Sequence, residues 1–112
     1  MKSNTEPKPL LIKLKIEQMI IWSNSPLKNF PRHEKYVMGA EIRKSMYQLL
    51  RLVIKANRQH HRKTTLLEVD VELDFLRSLV AEASDPSKRY ISRNQYKTWS
   101  EHLAVIGRLV GG

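Results

Sequence analysis

The sequence predicts an all-α protein, an antiparallel bundle of four helices. Three observations carry this. Apolar residues recur at steps of three and four over long stretches, the period of a helix with one buried face. Breakers are scarce: of 112 residues only 4 are Gly and 5 are Pro, and three of the Pro fall within the first 26 positions. No stretch alternates with the period of two that a half-buried strand requires. Short connectors between the helical stretches then favour antiparallel neighbours. A chain of this length is expected to form one domain. Residues 1–8 are polar and read as a flexible leader, leaving 9–112 for the bundle.

The first helix is expected from about Pro9 to Ser23. Proline suits a first turn, where its missing N–H would have no partner. Leu10, Leu14, Met19 and Ile21, with Leu11, Ile12, Ile16, Ile20 and Trp22, make this helix apolar over more than half its circumference. That predicts burial on more than one side. Asn24-Ser25-Pro26 is expected to stop it, and Leu27 to Arg32 to connect it to the next helix across the end of the bundle.

The second helix is expected from near Arg32–Glu34 to about Arg62, with a stripe of Ile42, Met46, Leu49, Leu50, Val53 and Ile54. Gly39 lies inside it. Glycine there costs about 1 kcal/mol against alanine, so either a kink or a close approach is expected. Thr64-Thr65 can cap a third helix reaching Ala83, whose seam is Leu66, Val69, Leu73, Leu76, Val80 and Ala83. Ser92-Arg93-Asn94-Gln95 has the form of a capping box for the fourth. Tyr96, Trp99, Leu103, Ile106 and Val110 form its stripe, with Gly111-Gly112 at the end.

Composition excludes several function classes. Without Cys there is no disulfide, thiolate zinc site or cysteine nucleophile. No apolar run approaches the roughly 18 residues of a membrane span, and the N-terminus is too charged for a signal peptide. A cytoplasmic location without membrane contact is the expectation. His33, His60, His61 and His102 show no metal-ligand spacing and accompany no credible nucleophile. No glycine-rich phosphate loop occurs. No catalytic, metal or cofactor residue is therefore nominated, and the chain is expected not to be an enzyme.

What stands out is charge. Twenty Lys and Arg against 11 Asp and Glu give a net +9. The excess is lopsided: residues 1–63 hold 14 basic and 4 acidic groups, residues 64–112 hold 6 and 7. Lys44, Arg51, Lys55, Arg58 and Arg62 follow one another at spacings of 7, 4, 3 and 4, which share one helix face. Lys63, His60 and His61 extend the row, and no acid occurs between Glu41 and Glu68. Like charges on one face repel, and phosphates would offset that cost. Lys44, Arg51, Lys55, Arg58, Arg62 and Lys63 are thus the candidate nucleic-acid contacts. The competing reading pairs them with Glu68, Asp70, Glu72 and Asp74 of the third helix. Asp70 and Asp74 share a face, but two carboxylates alone make only a weak cation site. Trp99 is in register with the apolar stripe and reads as core, and core is also the more common role for the tyrosines. Tyr90, in a loop with Lys88, Arg89 and Arg93, reads equally as a contact or as a solvated loop.

Several segments are similar to one known family. Phe30-Pro31 followed by Gly39, Leu73-Asp74-Phe75-Leu76-Arg77, Ile91 to Tyr96, and Ile106-Gly107-Arg108-Leu109-Val110-Gly111-Gly112 stand in the family's order. The chain resembles the four-helix bundle group that contains the accessory variability determinant proteins of diversity-generating retroelements. The same group contains the proteins encoded by intervening sequences of bacterial 23S ribosomal RNA genes. The resemblance implies a pentameric barrel of bundles with a basic surface. It further implies a non-catalytic accessory protein that binds reverse transcriptase and template RNA in support of mutagenic cDNA synthesis. DNA is a further expected partner of the basic row, because such contacts read the phosphate backbone. Two alternatives remain: a protein of the ribosomal intervening-sequence type, with no assigned role, and a protein–protein scaffold whose charge serves solubility.

Overall fold

Helix α1 spans Lys8–Lys28 and does not stop at Asn24-Ser25-Pro26. Pro26 lies inside its last turns, where the lost N–H and the ring clash cost roughly 3 kcal/mol in a helix interior. The offset is burial: Pro26 is itself buried, and Leu27 and Phe30 just beyond it join the core. Each such side chain contributes about 1.5–3 kcal/mol. The computed structural model describes residues 8–111 of the chain. Of the expected leader, Lys8 opens α1 and residues 1–7 lie outside the described part, as does Gly112.

The expected second helix is two elements. A single turn, α2 (Arg32–Lys35), is followed by α3 (Met38–Arg58). Tyr36 and Val37 break the run, with Val37 at φ −113°, ψ −87°. Glu34 bridges the break: its carboxylate accepts from the Met38 N–H at 3.4 Å and from the Tyr90 hydroxyl at 3.3 Å. Gly39 lies in the first turn of α3, where a Cβ would make ordinary van der Waals contact with the Glu34 carbonyl at 3.4 Å and Phe30 at 3.6 Å, so neither a close approach nor a left-handed backbone requires glycine there.

Helix α3 ends at Arg58, and α4 (Lys63–Ala83) begins after a short connector. Thr65 does not cap α4. It sits buried in the first turn and donates to the Gln59 side chain at 2.6 Å, while the N-cap position belongs to Arg62, without a side-chain cap bond. Helix α5 (Arg93–Gly111) starts as expected. Ser92 Oγ accepts from the Gln95 N–H at 3.0 Å, and the Gln95 side chain accepts from the Ser92 N–H at 2.8 Å. Two N–H groups that the helix leaves without partners are thereby satisfied reciprocally.

The four long helices form a bundle, each packed on two neighbours: α1 on α3 and α5, and α4 on α3 and α5. This accounts for part of the broad apolar surface of α1, while Leu10, Leu14 and Ile21 stay exposed. Ile12, Ile16 and Met19 are buried, and Ile20 and Trp22 are half-buried against the core. Ile42, Met46, Leu49 and Val53 of α3 and Val69, Leu73, Leu76 and Val80 of α4 are buried in one core, and the two helices pack on each other. Trp99 is fully buried and packs edge-to-face on Trp22 with ring centres 5.3 Å apart. Tyr90 resolves its ambiguity by packing on Phe30 at 5.6 Å, which ties the α4–α5 loop to the α1–α2 connector. None of the described residues forms a strand, and no helix among them is long and apolar enough to cross a membrane.

Candidate nucleic-acid interface

Helix α3 sorts its residues by period. Ile42, Ser45, Met46, Leu49, Leu52, Val53 and Ala56 turn inward. The outward face is left to Lys44, Tyr47, Arg51, Ile54, Lys55 and Arg58, all outside the core. Four of the six nominated cations therefore share this face as the spacing predicted.

The other two do not continue it. The helix ends before them, so Arg62 follows a changed backbone direction. Its guanidinium is half-buried and donates to the Gln59 carbonyl at 3.2 Å, and its Nε is buried without a hydrogen-bond partner. Lys63 opens α4 and is exposed. Arg62 and Lys63 line a separate depression with Leu66, Asp70 and Val110.

Among the described residues no acid of α4 forms an ion pair with the row. Among the described residues the ion pairs are Lys13–Glu17 at 2.9 Å, Arg77–Asp74 at 2.7 Å and Lys88–Glu82 at 3.6 Å. Asp74 thus serves its own helix. Glu72 borders Lys44 and Arg51 but accepts a hydrogen bond from Ser45 Oγ at 2.7 Å. The one side-chain partner of Arg51 among the described residues is neutral, Gln48 at 3.1 Å. Exposed cations without a carboxylate within pairing distance keep their field directed at solvent, where a polyanion can meet it.

The structure adds a feature that spacing alone did not reveal. Where the last turn of α1, α2 and the first turns of α3 meet, they enclose an open groove of about 690 Å³. Lys28, Lys35, Arg43, Lys44 and Arg51 line it together with Tyr36 and Tyr47, and no acid does. Arg43 is held by Asn24 at 3.2 Å. Tyr36 is 82% exposed and Tyr47 44%, so neither is the core residue that its type suggested. Part of this was legible: Arg43, Tyr47 and Arg51 repeat at steps of four. The contributions of Lys28, Lys35 and Tyr36 come from other elements and needed the fold.

Apolar side chains are also exposed on α4. Leu67, Val71 and Phe75 follow at steps of four, with exposures of 59%, 70% and 47%, amid Glu68, Asp70 and Asp74. Steps of four build the ridge with which helices pack into one another's grooves.

The histidines lie elsewhere. His60 and His61 stack edge-to-face in the α3–α4 connector, 4.7 Å apart. His102 packs on Trp22 at 5.3 Å. Burial lowers its pKa below the ordinary 6.5, with Glu101 opposing and Lys15 assisting.

A family model described as bAvd-like matches residues 10–112. No curated protein and no solved structure matches the chain.

Proposed function

Because the chain belongs to the bAvd-like family, we propose that it is a non-catalytic, cytoplasmic accessory protein that binds nucleic acid on the outward face of α3. The observation that carries this reading is that Lys44, Arg51, Lys55 and Arg58 share one exposed face and form no ion pair among the described residues. In the accessory variability determinant reading, RNA is the first partner, DNA a second, and a reverse transcriptase the enzyme assisted. Contacts from such side chains fall on phosphates, so they position the protein without selecting a sequence.

A second surface supports protein contacts. The apolar ridge of α4 is of the kind that monomeric proteins rarely leave in water. A second copy of the chain is the occupant that the family resemblance suggests, with a ring of five as the expected assembly. Placing cations on α3 and apolar residues on α4 lets one bundle hold nucleic acid and protein together.

The experiment is binding of RNA at a series of salt concentrations. Each phosphate neutralised contributes a slope of about −0.7 to −0.9 in the logarithm of the constant. A scaffold whose charge serves only solubility shows no such binding.

A further inference from the structure

The cations of the groove account for attraction to any phosphate chain, whether single or double. Its tyrosines have no part in that attraction, and they are the unexplained feature. Tyr36 and Tyr47 lie within a lining that holds five cations and no acid. Neither ring is engaged. Among the described residues the aromatic pairs are Trp22–Trp99, Trp22–His102, Phe30–Tyr90 and His60–His61, and the one cation set over a ring is Lys88 on Tyr90. No hydrogen bond among the described residues uses either phenol.

Their surroundings keep the rings open. On α3, Tyr47 has Arg43 four residues before it, Lys44 three before it and Arg51 four after it, so cations surround it on its own helix face. Asn24 holds the Arg43 guanidinium and Gln48 holds that of Arg51. The same lining includes Gly39 and Ala40, the smallest side chains in it. Exposed aromatic faces interleaved with positive charge suit an unstacked base flanked by its phosphates. In a duplex the bases stack on one another and offer no face to a side chain.

We propose that this groove binds single-stranded nucleic acid, with bases stacked on Tyr36 and Tyr47 and the backbone held by Lys28, Lys35, Arg43, Lys44 and Arg51. This rests on the nucleic-acid reading of α3 and adds the class of ligand. The strand runs past the start of α3, and the more distant Lys55 and Arg58 serve single and double strands alike.

The test uses fluorescence anisotropy on the full chain. The probes are a labelled single strand of about twelve nucleotides and the duplex of the same sequence, within the range of site sizes for single-strand grooves. The variants are Tyr36→Leu with Tyr47→Leu, Tyr36→Phe with Tyr47→Phe, and Lys44→Gln with Arg51→Gln. The expected result is wild-type preference for the single strand. The Leu pair loses roughly ten-fold or more of single-strand affinity, the scale of one or two stacked bases, and leaves duplex affinity and salt slope unchanged. The Phe pair retains wild-type behaviour, since phenylalanine keeps the ring. The Gln pair weakens both probes. If the Leu pair leaves single-strand binding intact, or weakens both probes equally, the stacking proposal is overturned while the phosphate face stands. If the wild type binds neither probe, the nucleic-acid reading itself falls, and this proposal with it.

Discussion

Ser45 donates a 2.7 Å hydrogen bond to Glu72 across the α3–α4 seam, on the edge of the depression that holds Lys44 and Arg51. A buried hydroxyl thereby engages a carboxylate that would otherwise be free to pair with the basic face. Glu72→Gln keeps the shape and removes the charge. A hydrogen bond to a charged group contributes about 1.5–3 kcal/mol, and the neutral amide retains part of it. The expected loss of stability, read by chemical denaturation, is therefore about 1 kcal/mol. RNA affinity should rise, because one negative charge leaves the border of the row. Weaker binding would place Glu72 in a supporting role.

Ser92→Ala should lower stability by about 0.5–2 kcal/mol, because the N–H groups at the start of α5 lose their cap. The denaturant midpoint measures this. RNA binding by the folded protein should be unchanged, since Ser92 lies among neither the α3 cations nor the groove lining.

Val71→Asp should dissociate the proposed assembly. The residue is 70% exposed in the chain alone and stands at the middle of the α4 ridge, so a charge there costs the monomer little. Light scattering at micromolar concentration should report an oligomer for the wild type and a smaller species for the variant, with the same helical circular dichroism. A wild-type monomer would mean that the ridge holds no second copy.

The pKa of His102 should lie below its ordinary 6.5, since burial beside Trp22 penalises the charged ring. The sign of the linkage follows. A folded pKa below the unfolded one means that the unfolded chain takes up the proton more readily. The stability associated with neutral His102 is thus fully present above pH 6.5 and declines as pH falls through the folded pKa. Titration of the ring protons by NMR gives the value, and His102→Gln should flatten the decline between neutral and mildly acidic pH.

The bundle was legible wherever one local signal decided the outcome. The steps of three and four through Val69, Leu73, Leu76 and Val80 left α4 one way to bury them. Ser92 and Gln95 carry their own cap in the sequence. Pro26 misled because its local penalty is outweighed by tertiary burial of Leu27 and Phe30, which no local pattern displays. Arg62 misled for the converse reason. Its spacing continues the row, but the helix ends at Arg58, and spacing has meaning only while the helix lasts. Lys44, Arg51, Lys55 and Arg58 precede that end and keep their predicted face. The groove is tertiary in origin, since Lys28, Lys35 and Lys44 come from three helices.

Whether the outward face of α3 holds phosphates is decided by the salt dependence of RNA binding, measured for the wild type beside the Arg51→Glu, Arg58→Glu double variant. Both residues lie outside the core, so the fold should survive, as circular dichroism would report. Phosphate binding on this face predicts weaker affinity of the variant for every RNA and DNA tested. It also predicts a salt slope shallower by about 0.7–0.9 for each phosphate that the variant no longer neutralises. Unaltered affinity with an unaltered slope would contradict it, and would place the nucleic-acid surface away from α3.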